Sequence, residues 1–391
     1  MARASSIKLL LSIALAAAAQ ARPLLVISID GMDHRYLRDR DAMGLKIPQL
    51  RRLLAQGSWA DGGVTGVMPT VTFPSHTTIV TGVAPHVHGI LDNNRADTKQ
   101  RYWESELIKV PTLWDAAKKA GKTVGAVHWP VTVGASIDWN VPEYFQRRLG
   151  HGMDWDSTEA KSTPGLIEKM LARYPSMPQE WVDDRVRALA TIYLLKEHKP
   201  DLLLVHLVDH DGEAHDTGPF TKHAKAVLER IDELVGEILA AKPANMAVAI
   251  VSDHGFEHVQ RPVNLGGFGN RVQTRGTLAT TDDPVAAAAL RSAAIGREIP
   301  ASEWKRVMPH APVPAAAFEP PEHATFITGK TPGNFKARGD HGYWPLRRDY
   351  HSTYLLAAPG GRRETLGEIE MTSIAARLAA VLGIPFGKES K

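Results

Sequence analysis

The chain has 391 residues, 43% of them hydrophobic and 23% charged, with a formal charge of +3 and no cysteine. That length holds one large α/β domain with excursions, or two domains. The near-neutral charge gives no signal for nucleic-acid or membrane-surface binding, and the missing cysteine excludes disulfide frameworks, thiolate metal sites and a cysteine nucleophile.

At the N-terminus, Arg3 and Lys8 precede an apolar run from Leu9 to Ala19, and Ala19-Gln20-Ala21 fits an A-x-A cleavage site. Residues 1–21 therefore read as a secretory signal peptide, too short in its apolar part to span a bilayer. The expected mature chain is 22–391, exported and either periplasmic or secreted; loss of Arg3 and Lys8 lowers its charge from +3 to +1. Leu24–Ile29 is a continuous apolar run of the kind that forms a strand buried on both faces, as are Thr123–Val127, Leu202–Leu207 and Met246–Val251. Helical patterns lie between them at Pro48–Gln56, Thr112–Ala120 (ending at Gly121), Asp183–His198 and Lys222–Ala241. This alternation predicts an α/β fold with a mostly parallel sheet covered on both faces. Residues 131–177 and 257–338 fit it poorly and are expected to be insertions around one core.

The predicted strands end in acids. Leu24–Ile29 runs into Asp30-Gly31, Leu202–Leu207 into Asp209-His210-Asp211, and Met246–Val251 into Ser252-Asp253-His254-Gly255. Ligands of open α/β sheets bind beyond the carboxyl ends of the strands, so three strands deliver carboxylates and imidazoles to one edge. Asp211 and His215 are spaced to share one face of a helix and hold one cation. His341 lies among small residues in Gly339-Asp340-His341-Gly342, where the backbone can approach a site closely. Oxygen and imidazole ligands without thiolate suit Zn²⁺, with Mn²⁺ or Fe as alternatives. Hydroxyls crowd Thr72-Phe73-Pro74-Ser75-His76-Thr77-Thr78. This stretch reads as a helix start capped by Thr72 or Ser75, and equally as a phosphate site with a hydroxyl nucleophile; spacing alone leaves the attacking hydroxyl open.

Taken together, Ile27-Ser-Ile-Asp30-Gly31, Thr72-Phe-Pro-Ser-His-Thr-Thr, Thr81-Gly82 with His88-Gly89, Asp211-x-x-x-His215-x-x-Gly218-Pro219, Ser252-Asp253-His254-Gly255 and Gly339-Asp-His341-Gly342 resemble the nucleotide pyrophosphatase/phosphodiesterase family of the alkaline phosphatase superfamily. The resemblance implies an alkaline-phosphatase-like domain hydrolysing small phosphate diesters or nucleotides, with no stable nucleic-acid or membrane partner. It implies two divalent ions, most simply Zn²⁺: one held by Asp30, Thr72, Asp253 and His254, the other by Asp211, His215 and His341. Thr72 stands at the family nucleophile, which forms a covalent phospho-threonine. Asn93 stands where an amide bonds a non-bridging phosphoryl oxygen. Phe73 and Trp129 are expected at the substrate, and His206 replaces a tyrosine that many members stack on the nucleobase.

Other readings differ in what they require. Relatives that act on monoesters carry a Lys-x-Arg pair where this chain has His128-Trp129-Pro130, which favours diesters unless a protonated His128 substitutes. The same absence disfavours a phosphonate hydrolase. A non-catalytic phosphate-ester binder would usually have lost ligands, and here each ligand type is present. Gly-Lys-Thr at 121–123 and 329–331 is not a P-loop, because Ala116 and Ala324 stand where its first glycine belongs. The C/S-x-P-x-R stretch of sulfatases is absent.

Overall fold

The computed structural model describes residues 21–145, 155–177, 182–275, 277–329 and 335–387. All but the last residue of the expected signal peptide lies outside them. No described helix is long and apolar enough to cross a membrane.

Eight strands form the central sheet: β1 (Leu24–Ile29), β2 (Gly57–Trp59), β3 (Val124–Val127), β4 (Trp139–Val141), β5 (Leu202–Leu207), β6 (Ala247–Val251), β7 (Tyr354–Ala357) and β8 (Glu364–Thr365). Their order is β8-β2-β7-β6-β1-β5-β3-β4. The five from β6 to β4 run parallel, and β7 runs antiparallel to both β6 and β2. The helices that cover this sheet are α1 (Pro48–Gln56), α2 (Thr72–Thr81), α3 (Leu113–Lys119), α4 (Asp184–Glu197), α5 (Asp209–Thr217), α6 (Lys222–Ala241) and α7 (Ile374–Leu382), of which α5 stands at the carboxyl edge.

Burial on both sides explains the unbroken apolar strands. Leu25, Ile27, Leu203, Val205, Val248 and Ile250 pack with residues of α1, α4 and α6, including Leu50, Leu194, Leu228 and Val235. Their neighbours Leu24, Val26, Leu202, Leu204, Ala249 and Val251 face α2, α3 and α7 through Ile79, Val80, Trp114 and Leu378. Each such leucine or isoleucine taken out of water contributes about 1.5–3 kcal/mol. Helix α1 has no side-chain cap of its own; Asp232 of α6 accepts its Gln49 and Leu50 N–H groups at 3.0 and 2.8 Å.

Both expected insertions engage the core. The stretch 131–177 supplies β4, the sheet's edge strand, and a helix at Leu166–Arg173 whose Leu166, Ile167 and Met170 join the main core. The stretch 257–338 leaves and returns through a two-stranded antiparallel ribbon, Glu257–Val259 against Arg338–Asp340. Beyond the ribbon it builds a four-stranded antiparallel sheet with its own small apolar cluster around Phe318, Leu290 and Phe326.

Candidate metal and phosphoryl-transfer site

Because β1 lies between β5 and β6, the acids that follow these strands come together at one edge. Asp30 extends the β1–β5 ladder by donating its N–H to Leu207 O at 2.9 Å. Gly31 then turns with φ +65°, and a Cβ there would stand 2.6 Å from the Phe256 ring. Its N–H donates to Asp253 Oδ1 at 3.1 Å, which joins the ends of β1 and β6.

Two ligand trios result: Asp30, Asp253 and His254, and Asp211, His215 and His341, each with its ligand atoms within 4.8 Å of one another. In the first, His254 Nε2 lies 3.3 Å from Asp30 Oδ1 and 3.2 Å from Asp253 Oδ2. In the second, Asp211 and His215 are one turn apart on α5, with His215 Nε2 at 3.6 Å and His341 Nε2 at 3.9 Å from Asp211 Oδ1. The trios adjoin: the His254 and His341 rings stack at 3.7 Å, and His254 Nε2 is 3.9 Å from Asp211 Oδ1.

Every histidine of the two trios is oriented the same way. Nδ1 of His254, His341 and His215 meets the backbone carbonyl of Gly255, Thr70 and Gly339, at 3.2, 3.2 and 3.3 Å. An Nδ1–H donated to a carbonyl leaves the Nε2 lone pair for a metal. Gly339 makes its contact by lying against α5, where a Cβ would fall 2.1 Å from Ala214 O. Among the described residues, Asp30 Oδ1, Asp253 Oδ2, Asp211 Oδ1 and His254 Nε2 are buried and find no hydrogen-bond partner. Buried polar atoms rarely go unpaired, and four in one cluster of oxygen and imidazole donors are what divalent cations would satisfy. The donor set suits Zn²⁺.

The electrostatics agree. Burial and the Asp30 charge push Asp253 up to about 8, and the same two causes raise Asp211 to about 6. Burial opposes a charge on His254, but Asp253 and Asp30 outweigh it and lift that ring to about 9. Burial also works against Asp30, yet the bond to His206 and the proximity of His254 hold it well below the usual carboxylate range. Without cations the cluster retains protons in their place.

Thr72 opens α2. The N-cap is Val71 with extended backbone, and neither Thr72 nor Ser75 caps the helix, contrary to the sequence expectation. Pro74 has no N–H, and that of Phe73 is donated to Asn93 Oδ1 at 2.9 Å, so the amide N–H₂ of Asn93 is the group left to act as a donor. His76 binds the first turn to the ligands: Nδ1 lies 2.9 Å from Thr72 O and 3.6 Å from Asp253 Oδ2, and Nε2 is 2.9 Å from Ser28 Oγ. Thr72 keeps 9% exposure while Ser75 has none, which makes Thr72 the reachable hydroxyl of the two.

The expected substrate contacts are differently placed. His206 is fully buried, with Nε2 2.9 Å from Asp30 Oδ2 and Nδ1 2.9 Å from Glu143 Oε2, and so presents no face for stacking. Trp129 is enclosed, edge-on to His76 at 5.0 Å. Phe73 is enclosed by Ile90, Trp103, Val131 and Val133, with the Arg101 guanidinium 5.3 Å over its ring. His128 is buried, and burial with the Arg187 charge holds it well below the usual imidazole range, so it is not the protonated substitute considered above. Asp209 turns away to the start of α4, where its carboxylate accepts the Asp184 N–H at 3.2 Å. Sequence reasoning missed Glu143 and His76. The first follows a three-residue edge strand with no acidic signature, and the second was hidden in the hydroxyl-rich run.

The sequence signature of type I phosphodiesterases/nucleotide pyrophosphatases matches residues 24–311. Human ectonucleotide pyrophosphatase/phosphodiesterase family member 1 is 28% identical over 251 residues, covering 60% of this chain and 24% of that protein. A venom phosphodiesterase of Macrovipera lebetinus is 26% identical over 242 residues, covering 61% and 26%. The chain thus spans about a quarter of the length of the curated relatives it matches. Among solved structures, murine ectonucleotide pyrophosphatase/phosphodiesterase 5, an inactive threonine-to-alanine variant in complex with AMP, superposes with a TM-score of 0.67 at 18% identity, covering 94% of this chain and 97% of the other. His341 lies beyond the matched segment, and the fold brings it to Asp211.

Proposed function

This chain belongs to the type I phosphodiesterase/nucleotide pyrophosphatase family, and on that premise we propose that it hydrolyses phosphodiester or phosphoanhydride bonds of small substrates, nucleotides among them, with Thr72 as nucleophile and two divalent cations, Zn²⁺ by ligand type. One observation carries this reading: two histidine–carboxylate trios with unpartnered ligand atoms adjoin, and His76 links one of them to the turn that presents Thr72. The AMP complex of the murine relative, inactive with a threonine replaced, supports it.

When bound, the cations would stabilise the attacking and leaving oxygens as Lewis acids, one held by Asp30, Asp253, His254 and Thr72 and the other by Asp211, His215 and His341. Thr72 Oγ1 gives up its proton to solvent, attacks phosphorus and forms an O–P bond while the bond to the leaving oxygen breaks. That oxygen departs with the electron pair and takes its proton from water. Water then attacks the phospho-threonine, the P–Oγ1 bond breaks, and Thr72 regains its proton. Asn93, fixed through its Oδ1, donates from its amide to a non-bridging oxygen, a contribution of about 3 kcal/mol by analogy with oxyanion donors.

Diesters and anhydrides are the preferred class, because a monoester carries an additional charge that calls for a further cation, and the buried, neutral His128 does not supply it. Export, directed by residues 1–21, belongs to the same proposal. The test is kcat/KM for bis-nitrophenyl phosphate and for a nucleotide nitrophenyl ester against nitrophenyl phosphate, at alkaline pH with zinc. Diester preference is expected. Monoester preference overturns the substrate class, and activity in a metal-free sample overturns the mechanism.

A further inference from the structure

We propose that Glu143 and His206 form a buried positioning pair that fixes which oxygen of Asp30 faces the cation site. The inference rests on the metal-binding reading above. His206 sits on β5 directly opposite Ser28 of β1, so its side chain comes level with the end of β1, where Asp30 begins the turn. Both ring nitrogens meet carboxylate oxygens at 2.9 Å: Nε2 meets Asp30 Oδ2 and Nδ1 meets Glu143 Oε2. The ring thus spans two buried carboxylates, and with both nitrogens engaged its orientation is fixed.

The effect on Asp30 is directional. Oδ2 is taken by His206, while Oδ1 lies 3.3 Å from His254 Nε2 with no hydrogen-bond partner. Asp30 is left to ligate through Oδ1 alone, toward Asp253 and His254. Two further contacts surround the residue: Arg187 Nη1 donates to the backbone His206 O at 3.0 Å, and the His76 ring lies 4.3 Å from the His206 ring. Glu143 comes from the segment after β4, so the stretch 131–177 contributes a group to the metal site as well as an edge to the sheet.

The experiment is a Co²⁺ titration of the metal-stripped full chain, followed by visible absorption and competition with a chelator, beside thermal unfolding of the metal-free proteins. The perturbation is the double variant His206→Phe/Glu143→Leu, which frees Asp30 Oδ2 and removes the carboxylate that holds the ring from behind. Outer partners of metal ligands are typically worth about 10–100-fold in affinity. A loss of that order is expected at the Asp30 site, with an altered cobalt spectrum, while the Asp211 site keeps its affinity and metal-free stability holds. Unchanged affinity at the Asp30 site overturns the proposal, as does an equal loss at both sites in step with metal-free stability. Should the double variant not fold, Glu143→Leu alone decides: about 10-fold weaker binding at the Asp30 site supports the pair, and unchanged binding refutes it. If the unaltered chain takes up no cobalt, the metal reading fails, and that result is distinct from either.

Discussion

Replacing Asn93 by Asp tests the phosphoryl-binding amide separately from the fold. The substitution preserves shape and keeps an oxygen where Asn93 Oδ1 accepts the Phe73 N–H at 2.9 Å. It exchanges the amide N–H₂ for a second, negatively charged oxygen. Removing one oriented donor to transition-state charge costs about 2.7–4 kcal/mol, and at ~1.36 kcal/mol per decade that is a loss of about 10²–10³-fold in kcat/KM. Repulsion between the new carboxylate and an anionic phosphoryl group adds to this. Stability moves the other way, because a carboxylate beside the first turn of α2 interacts favourably with the helix dipole, by about 0.3–1 kcal/mol. The assays are kcat/KM for bis-nitrophenyl phosphate with zinc, and urea unfolding of the same preparation. Loss of activity with stability held or raised is expected. A variant retaining a third or more of its activity, or one that loses stability along with activity, would refute the role of the amide.

Thr72→Ala should abolish turnover while zinc content, measured by elemental analysis, stays near that of the unaltered chain; Ser75→Ala, at a fully buried position, should leave turnover largely intact. Zinc affinity should rise between pH 6 and 9 with proton release detectable by calorimetry, since Asp211, Asp253 and His254, raised to about 6, 8 and 9, must give up protons to bind. The sign for the metal-free protein is opposite: each of these folded-state values lies above its unfolded one, so their contribution to stability falls as pH climbs through that range, and a Tm that rises from pH 6 to 9 without metal would contradict it. Asp232→Ala should lower stability by about 1–3 kcal/mol in urea unfolding, because the Gln49 and Leu50 N–H groups at the start of α1 lose their acceptor.

The parallel heart of the fold was legible because burial on both faces forces unbroken apolar runs; β1 and β5 have the bounds the sequence suggests. Strand β7 was not, since Tyr-Leu-Leu-Ala is too short to show any period, and β4 has only three residues. The cation ligands were legible because acids directly follow strands and Asp211 and His215 keep helical spacing. The environment of His206 was hidden, because the acid beside it is set by sheet register and lies far away in the chain. The cap of α2 was misjudged for a related reason: Thr72 and Ser75 are common capping types, but here the packing of the helix at the site places Val71 in that position.

The ribbon of Glu257–Val259 and Arg338–Asp340 sets apart two kinds of change open to this chain. His254 precedes its first strand and His341 follows its second, and the two rings stack at 3.7 Å where the ribbon meets the core. Everything beyond the ribbon is, for the ligands, a loop whose ends are already closed, and the entropy of closing a loop grows only slowly with its length. The excursion can therefore lengthen, shorten or be exchanged over many generations while both imidazoles keep their places. Variation is free to accumulate there without disturbing the two imidazoles.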